Sequence, residues 1–261
     1  MIIRIDSIDY LTADVAYYLG KIPQTLLEDI KNFDFRNGDS EGYAYIEQNR
    51  RELLDDIYLC HISRKLTADD IPKLLPLNQL ITTANSFSDF LRRNGVCFET
   101  SSNADIVLVY KGKLIDWQNN SNPYFNPVRF KSRLCEDFCV NGFQFLYDIS
   151  KQFDYNLYAY APEFLQDLDS LLGSNLVDEF RTISHTFVAL CRVPKDKIVF
   201  DSRSNDGKFE ERYIYSSLSY IWEYTFPEKA YGYNCVLRAL DDYIVNVERW
   251  IAAEELPGKC K

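Results

Sequence analysis

Asp56-Ile-Tyr-Leu-Cys-His61-Ile-Ser63 reads as a short apolar strand with a histidine and a serine at its exit. Strand residues alternate between two faces, so His61 and Ser63 share one side if the strand runs through both. The chain holds only two histidines, which makes the placement informative. A polar residue at the end of a buried strand often faces a cleft, because functional groups gather where the backbone leaves a rigid scaffold. The plainer reading of His61 is a core-edge histidine bonded to the backbone.

Outward from this strand, the pattern mixes helices and strands without regular βαβ alternation. That predicts an α+β class with mixed or antiparallel central sheets, an N-terminal helical segment and a C-terminal helix. On the N-terminal side, Thr12 is placed to cap a first helix and Pro23 to open a second. Residues 31–42 read as a loop and 42–56 as a further helix. Residues 1–55 are thus expected to form a helical appendage to an α+β core at 56–261, within one domain or beside it. On the C-terminal side, Thr67 to Asp70 resembles a capping box for a helix ending near Leu75-Pro76. Asn85 or Ser86 caps a helix through Arg93, and Val96–Thr100 is a strand. Ile106–Tyr110 and Leu114–Trp117 form a hairpin. A long helical region spans about 128–150, with a possible break at Asn141-Gly142. Pro162 opens a helix to Gly173, and 175–183 forms another. Strands are expected at His185–Val193, Ile198–Phe200 and Arg212–Tyr215, with a polar loop at 201–208. A C-terminal helix is expected over 234–255.

Composition limits the functional classes. With 261 residues, 46% apolar and 15% aromatic, the chain can bury a substantial core. No run of 18 apolar residues occurs, so no membrane span is expected. The N-terminus lacks a signal-peptide pattern. Seven scattered cysteines fit reduced thiols in a cytoplasmic setting. Cys135 and Cys139 lie four apart without other ligands at metal-binding spacing, so no zinc site is expected. The net charge of −10 repels nucleic acid on average while leaving room for a local basic groove. No glycine-rich phosphate loop, His-Glu-x-x-His or Gly-x-Ser-x-Gly motif occurs.

Two further segments carry chemistry. Glu210-Glu211 follows a polar loop; one carboxylate there, at a strand start, would stabilise developing positive charge, and the plainer reading is a solvated loop end. Asn122-Pro-Tyr124-Phe-Asn-Pro-Val-Arg129 is a proline-fixed loop ending in an arginine near a helix N-terminus. The dipole gives a cation no help there, so Arg129 points to a phosphate or carboxylate partner, or is simply a surface arginine.

Together these segments resemble the ADP-ribosyltransferase fold over roughly residues 56–225. Leu59-Cys-His61-Ile-Ser63, with Leu74-Leu-Pro-Leu after it, looks like that family's opening strand and helix. Phe187 to Phe200 looks like a central strand, a Val-Pro turn and the next strand. Glu211-Arg-Tyr-Ile is similar to its glutamate-bearing strand. Asn122 to Arg129 faintly resembles a segment of DarT-type, DNA-modifying members. No second-strand tyrosine is plainly placed, with Tyr110 and Tyr124 the candidates, and the acidic charge departs from a DNA-directed member. The resemblance implies NAD as substrate, in a cleft between sheets. His61, Ser63 and Tyr124 would contact NAD, and Arg129 would face its pyrophosphate. Glu211, or Glu210 beside it, would hold a ribose hydroxyl and act as the catalytic carboxylate with His61. The acceptor would be a protein, a nucleic acid or water. The competing expectation is a non-enzymatic, acidic interaction protein, an inhibitor or nucleic-acid mimic binding a partner's basic surface; 19 tyrosines and 17 phenylalanines suit such contacts.

Overall fold

A computed structural model describes residues 1–35, 40–66, 72–100, 106–135, 138–147, 149–151, 155–201, 208–226 and 234–257. The N-terminal helices are α1 (Ile8–Tyr18), α2 (Pro23–Ile30) and α3 (Ser40–Asn49). Pro23 occupies the first position of α2, where its missing N–H costs nothing. Ser7, not Thr12, caps α1, its hydroxyl accepting from the Asp9 amide. Thr12 lies one turn inside and donates to the Ile8 carbonyl. The third helix stops at Asn49, short of the expected 56, and the chain then leads into β1 (Asp56–Lys65).

β1 is the centre of the larger sheet. It pairs antiparallel with β7 (His185–Pro194) through ten residue pairs, from Asp56 opposite Pro194 to Lys65 opposite His185. The remaining strands are β2 (Lys73–Leu74), β6 (Asn141–Phe143), β8 (Ile198–Phe200), β9 (Val236–Ala239) and β10 (Val245–Ala252). Their order is β2-β10-β7-β1-β6-β9-β8, every pairing antiparallel. A smaller antiparallel sheet holds β3 (Val96–Thr100), β4 (Ile106–Tyr110) and β5 (Lys113–Leu114). Lys111 and Gly112 join β4 to β5 at φ 49° and 76°, the double positive φ that a two-residue hairpin turn requires. The second strand is shorter than expected, and Trp117 turns into the core.

Four expectations are corrected. The region 128–150 is not one long helix: α6 (Pro127–Cys135) ends before Asn141, and 141–143 is β6. Gly142 explains the change, because a Cβ there would lie 2.6 Å from the Cys60 carbonyl oxygen; only glycine lets β6 close on β1. Arg212–Tyr215 is helical, inside α10 (Phe209–Thr225). Tyr213, Ile214, Ser217, Leu218 and Ile221 are buried at three- and four-residue spacing, a helical period that four residues alone cannot display. The C-terminal helix is α10, while 234–255 supplies β9 and β10; Val245 and Val247 suit a pleated surface. Finally, Lys73-Leu74 pairs with β10 rather than ending a helix. The capping box at Thr67–Asp70 and most of the polar loop 201–208 lie outside the described residues.

Among the described residues two apolar cores result. The first joins Ile3, Leu11, Leu26 and Leu54 of the N-terminal segment to Leu59, Cys191 and Val193 of the large sheet and to α10. The second joins the small sheet to α4 (Leu77–Thr82), α5 (Ser86–Arg93), α6, α8 (Glu163–Leu172) and α9 (Leu176–Ile183), while Tyr155 of α7 (Tyr155–Tyr160) belongs to the first. Asn85 caps α5 in a full capping box with Ser88. Gly173, at φ 58°, closes α8. The Tyr213 hydroxyl is fully buried in the first core with no hydrogen-bond partner among the described residues. Removing an unsatisfied buried hydroxyl relieves its desolvation penalty. Tyr213→Phe is therefore expected to raise stability by about 1 kcal/mol. A lower urea midpoint for the variant would show that the hydroxyl has a partner.

Candidate functional site

His61 sits in β1 opposite Ala189, with its Nδ1 2.7 Å from the carbonyl oxygen of Asn141. A carbonyl only accepts, so Nδ1 carries the proton and donates. Burial pushes the imidazole pKa below its ordinary value, and the bond to Asn141 opposes that only in part. His61 is therefore neutral at pH 7. Ser63 follows on the same face, opposite Phe187.

Asn141 also lines a polar cleft of about 370 Å³ with Arg129, Arg133, Arg238, Ser132 and Asp201. Each element delivers its residue for a local reason. Asn126 accepts from the Val128 and Arg129 amides and so starts α6, which carries Arg129 and Arg133 one turn apart. The pairing of β6 with β9 sets Asn141 opposite Arg238. Arg129 donates to Asp167 and Arg133 to Glu163, both carboxylates on α8. The bond to Asp167 outweighs burial, which pulls the other way, and holds the Arg129 guanidinium above its ordinary pKa. Arg238 has no such close partner among the described residues: Asp241 is 3.9 Å away, and its Nε is buried without an acceptor. Cys139 closes one side, its Sγ 3.5 Å from Asn141 Oδ1.

The expected site residues divide. Arg129 lies in the cleft, and His61 touches its wall through Asn141. Tyr124 stands just before α6, 85% exposed. Glu211 is elsewhere. It lies in the first turn of α10, not at a strand start, and pairs with Arg50 at 3.2 Å. Its neighbour Glu210 turns inward and takes three donors: Tyr18 Oη at 2.9 Å, the Leu54 amide at 3.0 Å and Lys195 Nζ at 2.5 Å. Leu54 precedes β1 and Lys195 follows β7, so this glutamate pair marks the Asp56 end of the ladder. His61 is five residues further along, roughly 17 Å at strand rise. The structure thus sets Arg129 in the cleft, ties His61 to the backbone of the cleft residue Asn141 without making it a lining residue, and leaves Glu210 and Glu211 outside.

Sequence reasoning missed Arg133, Arg238, Asn141 and Asp201. Arg133, four residues after Arg129, was a readable signal, since that spacing repeats a helix face. Arg238 was hidden by reading 234–255 as helix.

Comparison of the chain with protein-family models, with curated proteins and with solved structures finds no match.

Proposed function

We propose that the chain binds a phosphate-bearing dinucleotide, NAD in the first instance, in the cleft formed by Arg129, Arg133 and Arg238. The observation that carries this reading is the set of three guanidinium groups on one polar cleft in a chain whose net charge is −10. Guanidinium forks match phosphate oxygens in geometry, and arginine keeps its charge at any working pH. Ser132 and Asn141 add neutral hydrogen-bonding groups beside them. His61, bonded through Nδ1 to the Asn141 carbonyl, holds that wall in place.

ADP-ribosyl transfer from NAD to a protein or nucleic-acid acceptor is the enzymatic form of this reading. It draws on Arg129 and His61, not on Glu211, whose carboxylate is engaged by Arg50. The test is titration of the pure protein with NAD by calorimetry. Arg238→Ala is expected to weaken NAD binding roughly tenfold or more, the value of a charge-assisted hydrogen bond. Unchanged affinity in this variant would place NAD outside the cleft.

A further inference from the structure

We infer that the cleft selects a phosphate-bearing ligand of low net charge, with a cationic group set against Asp201, and discriminates against polyphosphates. This inference rests on the cleft binding a phosphate ligand at all.

The argument is one of charge balance. Arg129 and Arg133 sit one turn apart on α6 and are met by Asp167 and Glu163, one turn apart on α8. The pairing neutralises both arginines. Asp167 cannot turn away to release its partner: its side chain is 2% exposed, and one of its oxygens is already buried without a donor among the described residues. Among the described residues Arg238 is the cleft cation least satisfied by carboxylate, since Asp241 stands 3.9 Å off at an exposed position. Asp201 then adds a carboxylate to the cleft wall itself. Among the described residues three guanidinium groups are set against Asp167, Glu163 and Asp201, which leaves almost no surplus positive charge between them. A basic groove for polyanions needs a surplus, because its affinity comes from uncompensated cations.

Such a site rewards a phosphate oxygen that accepts from Arg238 and a positive group that faces Asp201. Each further phosphate charge meets a carboxylate rather than a free cation, and like charges placed together count against binding. Oxidised NAD fits this pattern, since its pyridinium offsets one of two pyrophosphate charges. NADH lacks the pyridinium charge. ATP carries only negative groups.

Calorimetric titrations with NAD, NADH, ATP and inorganic pyrophosphate test the inference, with Asp201→Asn and Arg238→Ala alongside. Circular dichroism checks that each variant is folded. The expected order is NAD at least tenfold tighter than ATP or pyrophosphate, and several-fold tighter than NADH. Asp201→Asn is expected to bring NAD and NADH within twofold of each other and to tighten ATP. Arg238→Ala is expected to weaken every ligand that binds. If ATP or pyrophosphate binds as tightly as NAD, charge selection is wrong while the phosphate cleft stands. If none of the four binds, both readings fail.

Discussion

Glu210→Ala is expected to destabilise the fold by about 3 kcal/mol, the lower end of what breaking a buried ion pair costs. The lower end applies because Lys195 keeps about a third of its side chain in water. The loss has three parts. The Tyr18 hydroxyl and the Leu54 amide each lose an acceptor inside the protein, and Lys195 loses its counter-charge. For a chain of this size the melting temperature should fall by roughly 6–12 °C. The effect carries a pH signature. Burial alone would push the Glu210 carboxyl up, but the bonds from Lys195, Leu54 and Tyr18 outweigh it and leave the carboxyl below its ordinary value of 4.5. The contribution is therefore complete above pH 4.5 and fades as pH falls through the lower folded value. Thermal melts of wild type and variant should accordingly converge on acidification. A constant gap between the two down to acid pH would mean that Glu210 stabilises by packing and not as a charged acceptor.

Gly142→Ala is expected to cost about 3 kcal/mol, at the upper end for overpacking. The added carbon would fall 2.6 Å from the Cys60 carbonyl oxygen and 2.8 Å from Leu59 Cδ1. Leu59 can rotate; the carbonyl belongs to the central strand and cannot. β6 must then move away from β1, taking the Asn141 carbonyl from His61 and the Asn141 side chain from the cleft. Stability and ligand affinity should fall together, and the imidazole NMR signals of His61 should shift. An unchanged denaturant midpoint with unchanged His61 signals would show that β6 accommodates the methyl group.

The legible parts of the fold were those with strong local signals. The strands that run over 56–65 and 185–194 declared themselves over 56–62 and 185–193 by apolar content, α5 by a cap at Asn85, and α8 by Pro162 and Gly173. The misread parts were governed by distant contacts. Asn141–Phe143 looks like a helix break and becomes a strand because Gly142 admits β1. Arg212–Tyr215 looks like a strand when cut from its 17-residue helix. The candidate site was half legible for the same reason. His61 and Arg129 stood in motifs, whereas Arg238 and Asn141 acquire meaning only once β9 pairs with β6.

The ten-pair ladder between β1 and β7 also bears on the order of events expected in folding. Its strands lie well over a hundred residues apart, and the residues of the second core, from Ile81 to Phe180, all fall within that gap. Closing so long a loop carries a large entropic penalty that is repaid only when the pairs form. The intervening segment can collapse on its own apolar residues first, drawing the two strand ends together. The molecule's central ladder is thus expected to form late, reached through a partner core that shortens the search, so pulse-labelled amides of the second core should be protected before those of β1 and β7.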